Sequence, residues 1–137
     1  MLKKVDHIGF AVYSIDQARV FYEKALGLTC DRIEKIESQQ VRTAFFSLGE
    51  TRIELLEPTD PASPLARFLT KNGEGMHHIG YLSDNLEAQL EQAEKNGCTI
   101  INPEPVVGAG GKRISFLHPG SAHGVLTEIC EKKRMRE

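Results

Sequence analysis

Two histidines and two glutamates stand at matching places in this 137-residue chain, and their types suit a metal centre. His7 lies in Asp6-His7-Ile8-Gly9-Phe10 and His78 in His77-His78-Ile79-Gly80-Tyr81. Glu54 lies in Arg52-Ile53-Glu54-Leu55-Leu56-Glu57, and Glu128 in Val125-Leu126-Thr127-Glu128-Ile129-Cys130. All four segments read as strands, where successive side chains point to opposite faces. His7 therefore shares a face with Gly9 and Ala11, while Ile8, Phe10 and Val12 face the other way. His78 lies with Gly80 in the same manner, and each glutamate interrupts an otherwise apolar strand. A single strand histidine is ordinarily a hydrogen-bonded structural residue, and a single glutamate ordinarily faces solvent. The matched quartet changes that balance. Burying two imidazoles and two carboxylates in separate apolar surroundings would cost several kcal/mol each without compensation. One divalent cation would compensate all four, and this donor set suits Co, Ni, Mn, Fe or Zn. Four such ligands in an octahedral shell leave two cis positions for water or a chelating substrate. No cysteine belongs to the set, which speaks against a structural zinc site.

These residues are placed by an internal repeat. His7 and His78 are separated by 71 positions, as are Phe45 and Phe116, and Glu54 and Glu128 by 74. One turn of the second half thus carries three extra residues. Each opening strand runs into a helical pattern. Ser14-x-x-Gln17 reads as a capping box, with Ile15, Ala18, Tyr22, Ala25 and Leu26 on one face and Gly27 as the stop. Asp84-x-x-Glu87 reads likewise, with Leu86, Leu90 and Ala93 ahead of Gly97. Strand-like stretches follow: Arg42–Phe46 matches Arg113–Leu117, and Arg52–Glu57 matches Val125–Cys130. The expected fold is α+β, with tandem βαβββ modules forming a half-open mixed sheet around a metal site. The whole chain, 1–137, reads as one domain. Module one covers about 4–58, a connector about 59–74, module two about 75–131, and a short charged tail 132–137. In the connector, Ser63-Pro64 predicts a helix start, with Leu65, Phe68 and Leu69 on its apolar face. Asn102–Lys112, which contains Gly108-Ala109-Gly110-Gly111, follows neither phosphate-binding glycine pattern and reads as a plain flexible loop.

Composition narrows the function classes. Apolar residues make up 40% and charged residues 26%, ordinary for a folded soluble chain. Seventeen basic against nineteen acidic residues leave a net charge of −2, which offers no general attraction for nucleic acid or an anionic membrane. No apolar run approaches the ~18 residues of a membrane span, and the first residues lack a signal-peptide core. Cys30, Cys98 and Cys130, an odd number without CxxC spacing, suit reduced thiols in a cytoplasmic protein. His77 points away from His78 and reads as packed. His118 and His123, in the turn before the last strand, are secondary candidates for touching substrate. Cys130 reads as a small core residue.

The tandem βαβββ halves resemble the vicinal oxygen chelate, or glyoxalase-like, superfamily over about Lys4 to Glu131. Within it the chain is similar to the methylmalonyl-CoA epimerase family. That likeness rests on Val5-Asp6-His7-Ile8-Gly9, Ile53–Pro58 with Ser63-Pro64 and Phe68-Leu69, Gly75–Ile79, Phe116-Leu117-His118-Pro119 and Gly124–Glu128. The resemblance implies that His7, Glu54, His78 and Glu128 bind the metal. Cobalt is the favoured ion, with Ni2+, Mn2+ or Zn2+ as alternatives. It implies an acyl-CoA substrate, no nucleic-acid or membrane partner, and a homodimer. The implied reaction interconverts (2R)- and (2S)-methylmalonyl-CoA through a metal-stabilised enolate; Glu128 and Glu54, at matching places of the repeat, are our candidates for its acid/base pair. In part of the family a glutamine replaces the third ligand, and a glutamate from an earlier strand is a base; Thr43 falls near that earlier position. Lys112 and Arg113 are candidates for the nucleotide part of coenzyme A. Glyoxalase I, which uses the same ligand types, and a drug-binding member of the superfamily are the alternative readings.

Overall fold

The computed structural model describes residues 1–132, so the end of the charged tail from Lys133 onward lies outside the described residues. These residues form two compact units, His7–His77 and a second made of Met1–Asp6 with the chain from His78 onward. Both units are mixed α+β.

The first unit holds strand β1 (Leu2–Ala11) from His7, helix α1 (Ile15–Val20), β2 (Cys30–Ile36), β3 (Val41–Leu48), β4 (Thr51–Pro58) and helix α2 (Pro64–Asn72). Its strands are ordered β2-β3-β4-β1. β1 runs parallel to β4, and β2, β3 and β4 pair antiparallel. One face packs on α1 through Phe10, Val12, Ala44, Phe46, Leu55, Ile15, Ala18 and Tyr22. The Ser14 hydroxyl caps α1 by accepting from the Gln17 amide at 3.2 Å, as the capping box predicts. The helix then widens into a π-helical turn over Phe21–Ala25. That turn adds a residue to its circumference. It swings Ala25 and Leu26 out to solvent, against the expectation that they face the core. Leu28 packs there instead. In α2 the Ser63 hydroxyl accepts from the Ala66 amide, and Leu65 and Leu69 are buried.

The second unit contains β5 (Gly75–Ser83) from His78, α3 (Leu86–Lys95), β6 (Val106–Val107), β7 (Arg113–Leu117) and β8 (Thr127–Glu131). Its order is β5-β8-β7-β6, with β5 parallel to β8 and the other pairs antiparallel. Leu86 and Leu90 of α3 pack on Leu117 and Ile129. The cap of α3 is Asn85, whose side chain accepts from the Ala88 amide at 3.1 Å, rather than the expected Asp84. Asp84 is engaged elsewhere. The N-terminal ammonium and Lys3 bond to it, holding its carboxyl below the usual range. The Asn102–Lys112 stretch is a hydrogen-bonded connection rather than a plain loop. Asn102 accepts from the Ser115 hydroxyl and the Phe116 amide, and a short helical turn spans Ala109–Gly111. A Cβ on Gly108 would come within 2.8 Å of Ile114, so a side chain there would have to displace that buried residue.

The repeat also contains a clamp that spacing alone did not disclose. Glu57, at the end of β4, accepts from the Ile15 amide at the start of α1 (2.9 Å) and from Arg42 of β3 (2.9 Å). Glu131, at the end of β8, accepts from the Leu86 amide at the start of α3 (2.5 Å) and from Arg113 of β7 (3.4 Å). A carboxylate at a helix N-terminus satisfies an amide without an intrahelical partner and complements the helix dipole. Each clamp therefore fixes its helix to the end of the strand that carries a candidate glutamate. Glu131→Ala should lower unfolding free energy by about 1–3 kcal/mol, and Glu57→Ala by less because Glu57 is more exposed. Urea denaturation of both variants checks this; equal, negligible losses would remove the clamp's role.

Candidate metal centre

Each unit brings one of the predicted histidines to its predicted glutamate. In the first, His7 Nδ1 lies 3.7 Å from Glu54 Oε2. In the second, His78 Nε2 lies 3.6 Å from Glu128 Oε1. All four side chains are buried, none more than 8% exposed. The strand register explains both pairs. Glu54 is level with Gly9 on parallel β1, and Glu128 with Gly80 on parallel β5. A glycine thus stands beside each carboxylate, and the histidine two residues before it shares that face.

The sheet supplies further neighbours in the same register. Phe45 is opposite Glu54 and Phe116 opposite Glu128, so each carboxylate has an aromatic wall. The His78 ring meets Phe116 edge-on at 5.8 Å between centroids. Arg32 stacks over Phe45 at 4.0 Å. Arg52, two residues before Glu54, donates to Glu54 Oε2 at 3.0 Å. The two phenylalanines stand at the 71-residue offset of the repeat, so the sequence carried their signal. Arg52 was signalled only by strand alternation next to Glu54.

The secondary candidates have surroundings of their own. His77 packs edge-on against Phe68 at 4.8 Å, as its opposite facing predicts. His118 is exposed, and its Nδ1 accepts from the Gly120 amide within a turn. His123 is exposed with a φ of 53°. Cys130 is fully buried in a cluster with Leu82 and Ile114. Lys112 and Arg113 are occupied by protein carboxylates: Lys112 Nζ bonds both oxygens of buried Asp6 at 3.0 and 3.1 Å, and Arg113 pairs with Glu87 and Glu131. Among the described residues no helix is long and apolar enough to cross a membrane.

The donor chemistry fits a divalent ion. Buried imidazole and carboxylate groups without thiolate suit a borderline-to-hard cation. Burial would also restrict exchange with bulk water.

Three comparisons show which known proteins the chain is similar to. The profile described as glyoxalase/bleomycin resistance protein/dioxygenase superfamily matches residues 6–116. The uncharacterized protein YqjC of Bacillus subtilis (strain 168) is 44% identical over 96% of this chain and 94% of its own length. The mitochondrial methylmalonyl-CoA epimerase of Bos taurus is 36% identical over 93% of this chain and 74% of its own. A solved structure of a variant Streptomyces coelicolor methylmalonyl-CoA epimerase in complex with 2-nitronate-propionyl-CoA superposes with a TM-score of 0.94 at 35% identity, covering 100% of this chain and 99% of that one.

Lys112→Met removes the cation that Asp6 holds. It should cost about 3 kcal/mol, the low end for breaking a buried pair. Calorimetric unfolding checks this; an unchanged unfolding free energy would remove the pair's role in the fold.

Proposed function

The chain belongs to the glyoxalase/bleomycin resistance protein/dioxygenase superfamily, within it to the relatives of the methylmalonyl-CoA epimerases, and from that premise we propose that it is a metal-dependent epimerase interconverting (2R)- and (2S)-methylmalonyl-CoA. The observation that carries this reading is the buried His–Glu pair at the same strand positions of each unit, His7–Glu54 and His78–Glu128. The two pairs would hold one divalent ion, cobalt by preference.

The reaction asks a carboxylate to remove a proton alpha to a thioester, which a carboxylate in water does poorly. A bound divalent ion supplies Lewis-acid withdrawal of the charge that develops on the acyl oxygens. The chain's own residues do the rest. Glu128 takes the C2 proton from one face, and the C–H electron pair moves into the thioester carbonyl. Glu54, protonated, returns a proton to C2 from the other face, which inverts that centre. In the reverse direction the two exchange roles. Phe45 and Phe116, each level with one glutamate, exclude water from the carboxylates. Arg52 holds the Glu54 carboxylate from the side.

Incubating the cobalt-loaded protein with methylmalonyl-CoA in deuterated water should give metal-dependent deuterium incorporation at C2. His78→Ala should abolish it. Glu128→Gln should keep the metal and lose at least about a hundredfold in rate, the contribution of a positioned acid/base. Near-normal turnover of metal-loaded Glu128→Gln would refute its role. Lactoylglutathione formation from methylglyoxal and glutathione, without C2 exchange, would make the chain a glyoxalase I instead.

A further inference from the structure

Thr43 is a fully buried residue of β3 whose hydroxyl has no hydrogen-bond partner among the described residues. It stands level with Leu56, two positions along from the level of Phe45 and Glu54. Residues opposite one another in a ladder share a face, and residues two apart on one strand do too. Thr43 therefore lies on the face that carries Glu54, His7 and Phe45, away from the α1 core. A buried hydroxyl left unpaired weakens the fold. The fold has a cheaper solution for that position. The equivalent residue of the second unit, at the 71-residue offset, is Ile114, packed with Leu82 and Cys130. The same asymmetry recurs two residues before each glutamate, where Arg52 corresponds to Leu126. The first unit thus keeps hydrogen-bonding groups where the second keeps hydrocarbon.

We propose that the Thr43 hydroxyl is a substrate-binding group, donating a hydrogen bond to an oxygen of the acyl group whose C2 proton Glu54 handles. This rests on the epimerase reading of the same face. It gives the ligand a preferred orientation, with an acyl oxygen toward β3 of the first unit. An apolar residue of the same shape would remove the contact and relieve the free protein of its unpaired hydroxyl.

Thr43→Val and Thr43→Ser test this in the cobalt-loaded protein, with C2 deuterium exchange of methylmalonyl-CoA, calorimetric binding of malonyl-CoA, and the melting temperature of ligand-free protein. Thr43→Val should melt at the wild-type temperature or above, and lose roughly tenfold in malonyl-CoA affinity and in kcat/KM, the scale of one hydrogen bond to a charged or charge-gaining oxygen. Thr43→Ser should recover most of both. A merely structural hydroxyl would move the melting temperature and leave affinity alone. Wild-type exchange with Thr43→Val binding and turning over within twofold would overturn the inference and leave the epimerase reading standing. Absence of both exchange and malonyl-CoA binding in the wild type would overturn the two together.

Discussion

The structure depends on a single costly arrangement: an imidazole and a carboxylate buried side by side, made twice. In the first unit His7 and Glu54 are almost wholly removed from water, and in the second His78 and Glu128 are too. Charged groups in such surroundings need compensation from partners, hydrogen bonds or an ion. Glu54 receives part of it from Arg52. Each pair is also made possible by its parallel neighbour, where Gly9 and Gly80 place no side chain beside the carboxylate.

Other features of each unit hold that pair in register. The glutamate three residues beyond each candidate ligand, Glu57 or Glu131, points to the opposite face and bonds the first amide of the helix behind the sheet. A strand that slipped by one residue would exchange these two carboxylates between faces. The polar face would lose its glutamate, and the helix would lose its clamp. Register is therefore specified from both sides of the same strand. The phenylalanines opposite the candidate ligands share their face of the sheet.

Much of this was legible in the sequence because the chain states it twice. The 71-residue offset located both histidine strands, and the 74-residue offset both glutamate strands. Ser14 and Ser63 announced their helices by residue type. What escaped reading depended on geometry that type and spacing do not determine. Ala25 and Leu26 leave the core because of a π-helical turn. Asp84 satisfies the capping pattern but is engaged by the chain's own ammonium, so Asn85 takes the cap. Glycine-rich composition suggested slackness at 102–112, where side-chain hydrogen bonds from β7 instead tie the segment down. The unpaired hydroxyl of Thr43 is likewise a fact of three dimensions.

We propose that the two His–Glu pairs serve one ion rather than acting separately. Metal analysis of protein purified without chelator tests it most directly, comparing the wild type with His7→Ala and His78→Ala. One divalent ion per chain, lost from either variant, is the result this account predicts. Two ions per chain, or a full complement kept when either histidine is removed, would contradict it.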